Sequence, residues 1–363
     1  MSNDNGGHAV PQLTNNQSSA TATLPQYSVP AAQVAGASKY TQLLNIIEEL
    51  GKDIRPSYTN NKLSPLVFDQ RPSSLELIDK ESLLSIVGTY QLQSGEYSGS
   101  IYKLHGNKLI NVISLNGGVF RFVRLLDGRI VAALTTGSIN IINDSLNDVK
   151  TIPIIEKVTL LSVSICGNSV LCSDACGTIH TVDLETENVH SFLAHVSPYT
   201  KNPCEVWTTL WLDSNRILSG GEDNTFKLWD LRSSYNRPTS INKMHNCGVI
   251  SLFKENLESI ISGSYDDYLR RIDLRNFDSA VCERQMNGSP WSIRTVDERS
   301  YILSCMYGGW AIVKKENFDI IHENKALGEA LLYDADFSSH ASLVISCTFN
   351  NYAVNFDVCK FLG

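Results

Sequence analysis

The sequence predicts an all-β chain built from seven copies of one four-stranded unit, and three observations carry that reading. The stretch SGGEDNTFKLWDLR at 219–232 is echoed 43 residues later by SGSYDDYLRRIDLR at 262–275. In both copies a small-residue pair leads into an acidic turn, at Asp223 or Asp266, and then an alternating strand ending in Trp229-Asp230 or Ile272-Asp273. Related endings align on Asp223 at Ser98, Thr136, Cys176, Asp266, Gly308 and Asn350, with spacings of 38, 40, 47, 43, 42 and 42. A period of ~40–45 residues with a WD-type ending marks one propeller blade. The fold predicted is therefore a seven-bladed WD-repeat β-propeller with a disordered N-terminal tail.

Taken in order, residues 1–39 are rich in Ser, Ala, Asn, Gln, Thr, Gly and Pro. Such a composition buries too little apolar surface to offset the entropy of ordering, so a disordered tail is expected. Residues 40–65 should hold a short helix and a connector: Tyr40, Leu43, Leu44, Ile47 and Leu50 recur at helical spacing before Gly51, and Pro56, Asn60-Asn61 and Pro65 follow. The propeller is expected over 66–363, with the chain near Leu66 closing the last blade. Before each turn lies an apolar strand, such as NRILSGG or ESIISGS, that faces neighbouring blades. The strands lining the central channel should be SSLEL, GVFRF, VTLLSV, CEVWTTLW, CGVISLF, SPWSIR and LLYDADF.

Composition removes several function classes. A net charge of −8 gives no cationic field for a phosphate backbone, so direct nucleic-acid binding is not expected. Apolar runs such as LVISC are strand-length, short of the ~20 residues that span a bilayer, so no transmembrane segment is expected. The N-terminus lacks a basic region leading into an apolar core, and nine cysteines without regular spacing suit a reducing compartment, which together predict a cytoplasmic protein. Neither a metal site nor a cofactor is expected, since Cys172 and Cys176 have no second pair in register and no phosphate or dinucleotide loop occurs.

His195, Ser219, Asp223 and Trp229 stand in the order of a blade hydrogen-bond network, and His245, Ser262 and Asp266 repeat it with Ile272 in place of the Trp. No G-x-S-x-G elbow is present. Chemistry is therefore sought on the channel strands, which concentrate Arg121, Glu205, Trp207, Trp291, Arg294, Tyr333, Asp334 and Asp336. Aromatic rings beside carboxylates suit a quaternary ammonium group.

From Ser74 onward the residues resemble the WD-repeat diphthine methylesterase family. The motifs are GTYQL at 88–92, SGSIYKL at 98–104, Ala194-His195, EVW at 205–207, MHNCGVIS at 244–251, SPWSIR at 289–294, SCMYGG at 304–309 and LYDADFS at 332–338. Ile272, and Phe337 where the family tends to Trp, depart from the pattern. The resemblance implies hydrolysis of a methyl ester on a modified histidine of elongation factor 2 that also carries a trimethylammonium group, releasing methanol and leaving diphthine for amidation. On that substrate, Glu205 is expected as general base with His245 as the alternative. Arg294, or backbone N–H groups near Cys247-Gly248, would hold the oxyanion. Trp207, Trp291, Tyr333 and Asp336 would bind the substrate's cationic group. The rival is a non-catalytic scaffold in a membrane-recycling or ubiquitin-ligase assembly, and in either case further protein partners could use the propeller faces.

Overall fold

The computed structural model describes residues 63–360 apart from 234 and 236. The tail and helix expected over 1–39 and at 40–50 lie outside the described residues. Within them the chain forms seven four-stranded antiparallel sheets. Their inner strands, which define blades 1 to 7, are Arg71–Asp79, Val119–Arg124, Leu160–Cys166, Val206–Trp211, Val249–Lys254, Ser289–Thr295 and Leu332–Ser338. Six blades run from inner to outer strand in chain order. The seventh takes its outer strand from Leu66–Val67, which pairs with Ala353–Val358 through Leu66↔Val354 and Val67↔Ala353. That pairing ties the two ends of the described chain together and closes the ring.

The middle strands are buried on both faces because each sheet packs between two others. In blade 2, Ile130–Leu134 and Ser138–Ile142 are buried throughout. Clusters span adjacent blades: Leu218 and Phe226 of blade 4 meet Val249, Ile260 and Ile272 of blade 5. Ile272 thus fills the core position of a WD tryptophan while contributing no N–H.

The turn between second and third strands needs a left-handed residue in every blade. It is Gly137, Gly177, Asn224, Asp267 and Gly309 in blades 2 to 6, each directly after the repeat marker, and Tyr352 in blade 7. At Gly137, with φ of 84°, an added Cβ would fall 1.8 Å from the Ile155 carbonyl oxygen. Glycine is therefore required there on both torsional and steric grounds. Blade 1 departs from the alignment. Its turn lies at Ser94 and Gly95, and Ser98 sits inside the strand Glu96–His105, paired with Gln91. The hairpin is longer than in the other blades, so Ser98 marks a strand position and not a turn.

Candidate active site at the channel mouth

All seven inner strands carry a register shift near their start. The residues left unpaired by the bulge are Ser73, Phe120, Leu161, Trp207, Ile250, Trp291 and Tyr333. A bulge frees one side chain from the ladder and re-aims it. Here it turns four aromatic residues toward the end of the channel.

These rings converge across the axis. Trp291 of blade 6 lies 6.3 Å from Phe120 of blade 2, 6.0 Å from Trp207 of blade 4 and 5.1 Å from Tyr333 of blade 7, by ring centroids. Tyr265 completes the group, 5.9 Å from Trp207 at 90° and 6.5 Å from Trp291. Tyr90 and Phe349 extend it on the blade 1 and blade 7 side. Burial pushes the Tyr265 and Tyr333 hydroxyls above the usual phenol range, so both stay protonated donors at neutral pH.

The acidic side of the mouth is formed by Glu205 and Glu222. Trp207 Nε1–H donates to Glu222 Oε2 at 2.6 Å, and Glu222 N–H donates to the Glu205 carbonyl at 2.9 Å. Gly248 admits this carboxylate, since a Cβ there would lie 2.5 Å from Glu222 Oε2. The Glu205 side chain is half-buried and makes no hydrogen bond or ion pair with any described residue.

Below the rings is a cavity of about 250 Å³ that reaches Arg121, Ser162, Ser164, Ser292, Arg294 and Asp334. Arg294 donates from Nε and Nη2 to the two Asp334 oxygens at 3.2 and 2.8 Å, and from Nη2 to the Leu75 carbonyl. Asp334 also accepts from Leu75 N–H at 3.0 Å and Ser292 Oγ at 2.7 Å. Burial alone would raise its pKa, but the Arg294 charge outweighs it and keeps Asp334 ionised.

The structure distributes the expected site residues unevenly. Glu205, Trp207, Trp291 and Tyr333 come together at the mouth. Trp291 is only 3% exposed, with the Arg121 guanidinium 4.7 Å over its ring, so it is the centre of the cluster and not a free wall. Arg294 lies deeper, with its fork committed to Asp334. Asp336 is buried elsewhere: its oxygens accept from Leu77 N–H at 3.2 Å and Phe337 N–H at 2.8 Å, and Lys80 Nζ approaches to 3.5 Å. It does not join the aromatic group.

His245 is also absent from the mouth, and its place follows from the blade networks. In blade 4, Trp229 Nε1–H donates to Ser219 Oγ at 2.9 Å, Ser219 meets His195 Nε2 at 2.8 Å, and His195 Nδ1 meets Asp223 at 2.8 Å. Lys227 closes this chain on Asp223 at 2.8 Å. In blade 5 Ile272 supplies no donor, and Arg270 Nη1 instead reaches His245 Nδ1 at 2.6 Å. Asp266 Oδ2 lies 3.3 Å from the same Nδ1, and Nε2 meets Ser262 Oγ at 2.9 Å. Both ring nitrogens are thus engaged inside the blade, and the imidazole is buried away from the mouth. Burial lowers the His245 pKa, consistent with a neutral ring.

Glu222, Tyr265 and Phe349 were not among the residues the sequence singled out, although the repeat contained the signal. Each directly precedes its blade marker, Asp223, Asp266 or Asn350. That position points at the mouth because it leads into the left-handed turn at the same end of the sheet.

No family model matches the chain. It is similar to curated proteins named diphthine methyltransferase: 26% identical over 234 residues to that of Saccharomyces cerevisiae, covering 53% of this chain and 59% of that protein. With the Homo sapiens protein it shares 24% identity over 181 residues, 47% of this chain and 39% of the other. The chain thus spans three fifths or less of the length of these relatives. Among solved structures, the WD40 β-propeller domain of Doa1 matches with a TM-score of 0.66 at 16% identity, covering 82% of this chain and 97% of that domain. A chain of the mitotic checkpoint complex matches at 0.61 and 15% identity, covering 80% and 92%. The chain is a seven-bladed WD-repeat propeller whose curated homologues carry the name diphthine methyltransferase.

Proposed function

We propose that this protein is a cytoplasmic carboxylic methyl-ester hydrolase of diphthamide biosynthesis, acting on methylated diphthine of elongation factor 2 and releasing methanol. The observation that carries the reading is the pairing, at one end of the channel, of bulge-presented aromatic rings with the Glu205 and Glu222 carboxylates. A trimethylammonium group is attracted to the partly accessible Trp207, Tyr265 and Tyr333 rings and to the acidic edge by cation–π and charge terms together. The homologues' shared name supports a substrate of this class.

The two carboxylates suit different roles. Glu222 is tethered by Trp207, which fixes it as a countercharge for the ammonium. Glu205 has both oxygens free to take a proton. In the proposed reaction Glu205 accepts a proton from water as its oxygen attacks the ester carbonyl carbon. The tetrahedral intermediate collapses, the C–O bond to the methoxy group breaks, and the leaving oxygen takes the proton back from Glu205. Methanol and a carboxylic acid result, and the acid ionises. Of the expected oxyanion donors, Arg294 is held by Asp334, and the backbone near Cys247-Gly248 lies against the Glu222 carboxylate, which disfavours an oxyanion there.

Purified protein incubated with methylated elongation factor 2 should release methanol and leave the free carboxylate on the modified histidine, read by mass spectrometry. Unchanged ester after incubation, or complete diphthamide in cells lacking the protein, overturns the proposal in favour of a non-catalytic scaffold.

A further inference from the structure

Arg121 stands out among the cations of the channel. Three other channel cations have carboxylate partners, in Arg294–Asp334 at 2.8 Å, Arg124–Glu76 at 3.6 Å and Lys80–Asp336 at 3.5 Å. Arg121 is left without a carboxylate partner within ion-pair distance among the described residues. Its side chain leaves blade 2 and crosses the channel to blade 6, where Nη2 donates to the Trp291 carbonyl at 3.2 Å and the guanidinium lies 4.7 Å over the Trp291 ring. One carbonyl bond and one ring face leave most of its five N–H donors unused.

The surroundings are suited to receiving an anion. The residue following the bulge is Ser or Thr in five of the seven inner strands, the exceptions being Arg121 and Asp334. Ser164, which lines the same cavity, has a buried hydroxyl with no hydrogen-bond partner. A guanidinium removed from water is costly unless charge or hydrogen bonds compensate it. Burial accordingly lowers the Arg121 pKa, with Asp334 the main opposing charge.

We propose that Arg121 is an anion-binding residue, and that with the aromatic mouth it forms a two-part site for a small zwitterion carrying a quaternary ammonium and a carboxyl group. Trp291 touches both parts, with the Arg121 guanidinium 4.7 Å from its ring centroid and the Trp207 ring 6.0 Å away, and all three residues line one cavity. This deepens the proposed function and rests on it: the ammonium of the substrate would sit by Trp207 and Glu222, and the carboxyl group freed from its ester would face Arg121. Arg294 cannot take this part, because its fork is already filled by Asp334.

The test uses glycine betaine, choline and acetate as probes, titrated into the whole protein by calorimetry and by Trp fluorescence. Wild type should bind betaine more tightly than choline. R121M should lose about tenfold in betaine affinity, the scale of a charge-assisted hydrogen-bond pair, with choline affinity retained. R121K, which keeps the charge but not the planar fork, should fall between them and serves if R121M does not fold. Equal betaine affinity in wild type and the Arg121 variants overturns the anion assignment while leaving the ammonium mouth standing. Arg121-dependent binding of acetate without binding of choline removes the mouth reading and keeps the anion site. No binding of any probe by wild type overturns both.

Discussion

Replacing Glu205 by Gln tests the proposed chemistry most directly. The substitution keeps shape and removes only the ability to take a proton. Because the side chain is half-buried and makes no hydrogen bond or ion pair with a described residue, folding stability should stay within about 0.5 kcal/mol of wild type. Ammonium binding should weaken modestly: losing one of two carboxylates about 4 Å from the cation in a wet rim costs about 1 kcal/mol, roughly fivefold in affinity. Turnover should fall by about 10²–10⁴, the share general-base catalysis ordinarily supplies. Methanol release from methylated elongation factor 2, a choline titration and a thermal melt on one preparation separate the three effects. His245→Ala is the control, expected to lose about 1–3 kcal/mol of stability through the cavity it leaves and its orphaned Ser262 partner while retaining turnover. Normal turnover in E205Q, or a stable but inactive H245A, refutes the assignment of the base.

Three further outcomes follow from the same contacts. Asp334→Asn should destabilise the fold by about 1–3 kcal/mol, since it removes the charge that Arg294 grips and leaves only the more distant Asp336 and Glu76 opposite the guanidinium; a denaturation midpoint near wild type would contradict the clamp. Trp207→Phe keeps a ring but removes the N–H held by Glu222, so choline affinity should drop a few-fold with the melting temperature unchanged, and equal affinity would show that the tether is idle. Stability should fall on acidification from about pH 7.5 to about pH 5. Burial holds the His195 and His245 pKa values below the unfolded value of about 6.5, so the unfolded chain takes up more protons in that range and is favoured. Asp223 extends the loss to lower pH: burial would raise its pKa, but the bond to His195 and the Lys227 charge hold it well below the usual range. A melting temperature that is flat or rises across that interval would refute this account.

The strand count, the blade number and the blade-4 network were legible in the sequence because they are local. A left-handed turn residue directly after the marker in blades 2 to 6, an alternating strand and an His–Ser–Asp–Trp order are local features, where periodicity and turn chemistry act. Blade 1 misled because its longer hairpin keeps the motif SGSIYKL while moving the turn to Ser94 and Gly95. The channel strands were also legible, and with them Glu205, Trp207, Trp291 and Tyr333. What each residue faces was not. Arg121 and Trp291 are 170 positions apart and sit on non-adjacent blades, so only closure of the ring brings them into contact. The same closure sets Arg294 against Asp334 and turns Asp336 away toward Lys80. The bulges that re-aim the aromatic residues arise from pairing register, which a single strand's sequence does not specify. Residue types along each strand were determined by the sequence, and what Arg121 meets across the channel was decided by the geometry of seven sheets around one axis.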